Sequence, residues 1–323
     1  MKALALISGG LDSILAARLI MDQGVDVVGV SFESPFFSAG GARSACAALG
    51  IELVVVDISE GILALLRGPK HGFGKHMNPC IDCHALMVHR TVEMMEDMGA
   101  SFIVTGEVVG QRPKSQMRFG LQAVARESGA GDVLVRPLSA KLLSPTLPEE
   151  RGWIDREKLL GLHGRTRKPQ MELAERYGIT EYATPAGGCL LADENFGRAL
   201  KDLIEHDQLT VSEAALLNIG RQFRLSERAK LIVGRNHAEN EELFRRKPPG
   251  DLCVKSTDRK GPVGVFVGAR GDEEMELAAG IVARYTGARA GEIVPVQLWS
   301  GDGFSKNLEV EPLEPRSVRE HAI

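Results

Sequence analysis

Two short stretches of this chain carry residue types whose spacing could do chemistry. In the first, Ser8-Gly9-Gly10-Leu11-Asp12-Ser13 follows an apolar run and precedes Ile14, Leu15, Ala17 and Leu19 at helical spacing. Two glycines directly after a strand let the backbone turn tightly and aim its N–H groups at an anion. A helix opening at the same place adds partial positive charge. Phosphate is the natural ligand: Ser8 and Ser13 offer hydroxyl donors, and Asp12 suits a magnesium ion held between phosphates, which a bare carboxylate would repel. A glycine turn with Asp12 as an ordinary N-cap is the plainer alternative.

The second stretch is Asn78-Pro79-Cys80-Ile81-Asp82-Cys83-His84. Its two thiols are three residues apart, so a helix opening at Cys80 behind Pro79 puts both on one face, as two ligands of one metal centre must be. A further thiol, Cys189, follows Pro185-Ala186-Gly187-Gly188. Three thiolates fit an iron–sulfur cluster with one open iron, or zinc completed by His76 or His84. Cys46 and Cys253 stand in apolar runs and read as small buried hydrophobes. Five cysteines and no secretory pattern in MKALALISGG disfavour a disulfide framework.

The elements that must position these residues follow from periodicity. Apolar runs at 2–8, 25–32, 51–58, 101–107 and 132–138 alternate with helical patterns, which predicts a doubly wound parallel α/β sheet. The rhythm fails over 139–168, which is rich in Pro, Gly and charge, and helices are expected at 169–177 and 195–206. The expected organisation is a first domain over 1–204, a helical connector over 205–228 and a smaller α+β domain over 229–323. A chain of 323 residues with net charge −4 does not coat nucleic acid by bulk charge, though a local basic face stays open. No run reaches about 18 apolar residues, so a cytoplasmic protein without membrane contact is expected. The oligomeric state is not legible.

Here the motifs become specific. Ser8 to Ser13 resembles the SGGxDS signature of the PP-loop pyrophosphatases (adenine nucleotide α-hydrolase-like fold), which cleave ATP between its α and β phosphates and pass AMP to a carbonyl or carboxylate oxygen. No Walker lysine or GxGxxG follows, which disfavours a kinase or dehydrogenase. The resemblance implies ATP and Mg2+ at Ser8, Gly9, Gly10, Leu11, Asp12 and Ser13, with adenine across the carboxyl ends of the strands near Ser31 and Phe32. The Asn78–Cys83 segment resembles the NPCxxC segment of tRNA thiolation enzymes within that family. Several of these hold a 4Fe-4S cluster on three cysteines, whereas others use two as a persulfide carrier and its resolving partner. That implies catalytic roles for Cys80, Cys83 and Cys189 beside Asp12, with the three cysteines as cluster ligands.

Thr105-Gly106-Glu107 with Gly110-Gln111-Arg112-Pro113-Lys114-Ser115-Gln116 is similar to the TGExxGQxxSQ stretch of 4-thiouridine synthetases, with one extra residue before Ser115. It implies Thr105, Gly106 and Glu107 beside the nucleotide, Glu107 holding magnesium or orienting the nucleophile, and Arg112 and Lys114 contacting phosphate or RNA. Residues 228–300, with Gly234-Arg235-Asn236 and Pro249-Gly250-Asp251-Leu252, look like the NFACT-type RNA-binding module, with Cys253 where that module often carries Trp. Arg235, Asn236 and Lys255 are the RNA contacts this implies. Together the resemblances predict an ATP-dependent tRNA sulfurtransferase that adenylates a uridine carbonyl and replaces its oxygen with sulfur from sulfide or a persulfide carrier. The alternatives are a persulfide thiolase without a cluster, an ATP-dependent amide or nitrile synthase of the queuosine-precursor type, and an RNA-binding adaptor.

Overall fold

The protein is described here from a computed structural model covering residues 1–182 and 189–323. Pro185 to Gly188, ahead of Cys189, lie outside the described residues. The chain divides into two compact units, Met1–Ala192 and Asp193–Ile323.

In the first unit, β1 (Lys2–Leu6), β2 (Asp26–Glu33), β3 (Leu53–Asp57), β4 (Phe102–Val104) and β5 (Leu134–Val135) form one sheet in the order β3-β2-β1-β4-β5. Every pairing is parallel. Parallel neighbours need crossovers, supplied by α1 (Leu11–Met21), α2 (Gly40–Leu49), α3 (Ser59–Arg67), α4 (Cys80–Met94) and α5 (Arg118–Glu127). The central strands are continuous apolar runs because side chains on both faces are covered: Ala3, Ala5, Ile7, Phe102 and Val104 are buried in one core with Leu11 and Leu15 of α1, and Ile103 and Leu134 in another with Val88 of α4 and Val124 of α5. From β1 the chain winds outward to β2 and β3, then returns to the other side of β1 as β4. The β1/β4 boundary is therefore the switch point, outside whose carboxyl ends such sheets bind ligands. The excursion after β5 carries α6 (Leu147–Glu150) and α7 (Lys168–Arg176).

The second unit opens with α8 (Glu194–Glu205) and α9 (Val211–Ala214). Its sheet runs β11-β10-β8-β9-β7-β6, from β6 (Arg221–Ser226), β7 (Ala229–Val233), β8 (Leu252–Ser256), β9 (Gly264–Gly268), β10 (Val294–Trp299) and β11 (Ser305–Val310). All pairings are antiparallel. Among its helices are α10 (His237–Arg246), α11 (Asp272–Arg284) and α12 (Pro315–Glu320). Met275, Ala278, Ile281 and Val282 of α11 pack on Leu231, Val254, Phe266 and Val296, which makes the main core. Across the sheet, Leu216, Ile219, Ile232, Leu243, Val265 and Val267 form a smaller one.

Two expectations about organisation are corrected. The stretch 205–228 is not a helical connector: beyond Glu205, where α8 ends, only Val211–Ala214 is helical, and Arg221–Ser226 is strand β6, hairpinned onto β7. Its polar, charged sequence hides it because β6 is an edge strand, where charge is tolerated and guards against edge pairing. The division also falls at 192/193 instead of after 204. Asp202 of α8 accepts a hydrogen bond from Arg224 Nε of β6 at 3.1 Å, which ties that helix to the second sheet. Among the described residues no helix is long and apolar enough to cross a membrane.

Candidate functional site

The loop after β1 is built by close backbone approach. Gly9 has φ +81°, and a Cβ there would lie 2.4 Å from the Gly41 carbonyl carbon at the start of α2. A Cβ on Gly106, just after β4, would lie 2.5 Å from the Ser13 nitrogen. Loops following β1, β2 and β4 thus meet backbone to backbone at the switch point, which no side-chain-bearing residue permits at these two places. Within the loop, Ser13 Oγ donates to the Gly10 carbonyl at 2.8 Å, and the Ser8 N–H donates to Ser13 Oγ at 3.3 Å. The Gly10 N–H reaches Ser8 Oγ at 3.3 Å. Gly10 precedes α1 in an extended conformation and Asp12 sits in the first turn, where the helix dipole favours negative charge.

Asp12 is held on one side only. Its Oδ2 accepts from Gln111 Nε2 at 2.6 Å, and Gln111 Oε1 accepts from Gln170 Nε2 at 3.0 Å. Asp12 Oδ1 and Gln170 Oε1 are buried without a hydrogen-bond partner. An orphaned buried carboxylate oxygen in the first turn after the glycine loop is the kind of donor a hard cation takes. Gln170, 1% exposed on α7, has no motif around it and was missed by sequence reading. Only the tertiary fold brings it beside Gln111.

Glu107 is not available in the way the sequence led us to expect. Its carboxylate accepts from Arg136 Nε at 2.8 Å, His84 Nδ1 at 3.0 Å and Thr105 Oγ1 at 3.2 Å. Burial pushes this carboxyl up, but the Arg136 charge and the bonds from His84 and Arg136 outweigh it and hold it near about 2. Glu107 is therefore a fully engaged anchor, and Arg136, 7% exposed, is its unforeseen counter-ion. His84 lies one residue beyond Cys83 on α4, so this cluster ties the cysteine helix to the loop that packs on Ser13. Ser31 and Phe32 are buried inside β2, paired with Val55 and Val56 of β3.

Cys80, Cys83 and Cys189 are partly exposed residues outside any disulfide, and the Cys80 thiol donates to Asn78 Oδ1 at 2.9 Å, whereas Cys46 and Cys253 are buried, as expected of packing residues. A Cβ on Gly29 would lie 2.6 Å from Cys46 Sγ, which shows how closely that thiol fills its core site. Burial pushes the Cys83 thiol up to about 12, with Cys189, Cys80 and Asp82 adding to the rise. Burial also raises Cys80, against the pull of Arg112 and Lys114, and raises Cys189, to which Cys80 adds. The three thiols thus share one neighbourhood with Arg112 at its rim. Their donor chemistry fits a cluster, since a bound cation is what turns such thiols into thiolates. Yet among the described residues no three His, Cys, Asp or Glu side chains stand as a ready metal-ligand group. Of the histidines considered for zinc, His84 is bonded to Glu107, and His76 is exposed with φ +52°.

The expected RNA contacts divide. Arg112 and Lys255 are exposed. Lys114, with φ +68°, donates from Nζ to the carbonyls of His71, Gly72 and Phe73, each at 2.9 Å. It clamps the segment leading to Cys80, and its donors are taken up by those three carbonyls. Arg235 is also spent: its Nε donates to Glu239 at 2.8 Å, and its own N–H donates to the same carboxylate at 2.8 Å. Asn236 caps α10 by accepting from the Glu239 N–H at 3.0 Å. The Gly-Arg-Asn helix start is thus filled by an internal carboxylate.

Comparison with known proteins bears out the resemblances. Residues 1–139 match the family model for thiamine biosynthesis protein (ThiI), and residues 220–322 that for the NFACT protein RNA binding domain. A tRNA-specific 2-thiouridylase MnmA of Dehalococcoides mccartyi is 33% identical over 114 residues, 31% of this chain and 32% of that protein. A probable tRNA sulfurtransferase of Methanosarcina acetivorans is 27% identical over 195 residues, 49% of this chain and 46% of the relative. The chain thus spans less than half the length of these curated relatives. A solved 4-thiouridine synthetase–RNA complex with bound ATP overlays with a TM-score of 0.41 at 21% identity, over 67% of this chain and 52% of that one. What the sequence joins in one polypeptide is a segment matching the ThiI family and a segment matching the NFACT RNA-binding domain.

Proposed function

We propose that this chain is an ATP-dependent tRNA sulfurtransferase. The observation that carries the reading is the His84–Glu107 bond, 3.0 Å long, because it joins the cysteine helix to the loop packed on Ser13 and so gives nucleotide and sulfur chemistry one shared edge. In this reading the Ser8–Ser13 loop binds the pyrophosphate of ATP, and the free Oδ1 of Asp12 takes magnesium while Gln111 fixes Oδ2. The carbonyl oxygen of a tRNA uridine attacks the α-phosphorus, the α–β bond breaks and pyrophosphate leaves. The base is then adenylated, and a sulfur nucleophile displaces AMP with the former carbonyl oxygen. Cys80, Cys83 and Cys189 would hold a 4Fe-4S cluster, which would present sulfide to the adenylated base; sulfur arriving on a persulfide carrier would first need two electrons from a thiol reductant to reach that level.

A second reading, persulfide transfer on two of these cysteines without a cluster, is favoured by the lack of a ready metal-ligand group among the described residues. Anaerobic incubation with iron and sulfide separates the two. The cluster reading expects broad charge-transfer absorption that is lost in Cys80→Ala, Cys83→Ala and Cys189→Ala. A colourless protein whose cysteine becomes one sulfur atom heavier after incubation with a persulfide donor supports the second reading. Pyrophosphate release that ignores added tRNA would sink both.

A further inference from the structure

The sheet of the second unit has a half-open face. Across β8, β10 and β11, Lys255, Gln297 and Asn307 stand in one row and Cys253, Trp299 and Ser305 in the next. Because side chains alternate along a strand, all six point to the same side, opposite the face packed on α11. Lys255, Ser305 and Asn307 are exposed, and Gln297 and Trp299 are partly so. Among the described residues the Trp299 ring has no aromatic or cationic partner, and the Lys255 ammonium has no ion pair. Gln297 Nε2 donates to Ser305 Oγ at 3.3 Å, a weak bond easily exchanged. Beyond Lys255 the strand ends in a hollow of about 360 Å³ lined by Lys255 to Gly261, with Lys260 exposed at its edge.

We propose that this three-strand face takes a single-stranded RNA segment, with Trp299 as the stacking platform and Lys255 as the phosphate contact. The proposal rests on the tRNA reading above and names where the second unit meets the RNA. Two observations select this occupant. The helix start at Arg235 is filled by Glu239, whereas Lys255 on the sheet has no ion pair among the described residues. Residues 220–322 match the NFACT RNA-binding domain, and within them Trp299, paired with Cys253, stands one row from Lys255, so an indole and an ammonium without an ion pair share this face. A partly exposed indole on a flat sheet offers a π-face to an unstacked base, and base faces are buried in an A-form duplex.

The test is binding of a fluorescently labelled single-stranded 12-mer RNA to the full chain, by anisotropy, without ATP or a sulfur source. Trp299→Ala is expected to weaken binding roughly 5- to 100-fold, the loss of one base stack, and Trp299→Phe to restore most of it. Lys255→Ala should lower the slope of log affinity against log salt by about 0.7, one single-strand phosphate. A 12-bp duplex of the same sequence should bind more weakly than the single strand. The proposal is overturned if folded Trp299→Ala binds like wild type, if duplex binds as tightly as single strand, or if Arg235→Ala produces the loss instead. Should Trp299→Ala fail to fold, Asn307→Glu decides: its side chain is exposed, and unchanged binding overturns the proposal. Because neither ATP nor sulfur is present, failure here leaves the sulfurtransferase reading standing, and failure of tRNA-dependent pyrophosphate release leaves this result standing.

Discussion

Removing one member of a buried ion pair strands the other charge in a low-dielectric site, at a cost of about 3–5 kcal/mol. Glu107 and Arg136 are 6% and 7% exposed, so Glu107→Gln should destabilise the first unit by about that amount, measurable by urea unfolding. The pH dependence has a definite sign. The Glu107 carboxyl is depressed from 4.5 to about 2, so its contribution is fully present above 4.5 and is lost as pH falls through that window. Glu107→Gln should therefore flatten the acid limb of the stability curve. If the variant and wild type lose stability in parallel between those values, the anchor assignment is wrong. Lys114 and Arg235 teach the same lesson at the other sign of charge, since both read from sequence as free cations and both are consumed by carbonyls or a carboxylate of their own unit.

At the level of elements, the site depends on loops touching where strands end. Gly106→Ala would force a methyl group to within 2.5 Å of the Ser13 nitrogen, on backbone that has no room to give. The expected result is loss of ATP-dependent pyrophosphate release by at least about tenfold, with the Km for ATP rising, since a misplacement of about 1 Å can cost a hundredfold. Gly110→Ala is the control: its nearest neighbour is 3.5 Å away, and its φ of +75° makes the change a backbone strain outside the Ser13 contact. Equal losses in the two variants would remove the special role of the β4 loop. Gln170→Leu should act differently. It takes away the group that orients Gln111, so the magnesium dependence of ATP turnover should shift to higher concentration with little change in folding.

For the whole molecule, the two units should answer pH in different ways. Lys230 of β7 is fully buried with no hydrogen-bond partner for Nζ, and burial lowers its pKa to about 8, only partly offset by Glu213 and Asp202. The unfolded chain holds that proton to 10.5, so the second unit gains stability as pH rises from about 8 to 10.5. Burial and then Glu213 raise Asp251 to about 7, so the same unit loses stability as pH rises from 3.8 to about 7. It should be least stable between these windows, whereas the Glu107 effect confines the first unit's loss to acid. Trp153 and Trp299, one in each unit, report the two transitions by fluorescence. Lys230→Met should stabilise the second transition by about 1–4 kcal/mol near neutral pH, as replacing a buried charge often does. A flat profile for the Trp299 transition would refute it.

Local rules sufficed wherever the chemistry is contiguous in sequence. The run from Lys2 to Ser13 specifies strand, glycine turn and helix by itself, because periodicity and the φ freedom of Gly9 act within a few residues. The Cys80–Cys83 pair, the alternating strands and helices, and the second α+β unit were legible for the same reason. What the tertiary structure alone decided is which charges remain free. Gln170 reaches Gln111 across 59 positions and Arg136 reaches Glu107 across 29, while Glu239 fills the seat that Gly-Arg-Asn advertises. Strand β6 escaped notice because an edge strand may be polar, and Trp299 drew none because its meaning lies in the register that sets it opposite Cys253. Residue type and spacing state what chemistry is possible. Burial and long-range pairing select the groups that can carry it out.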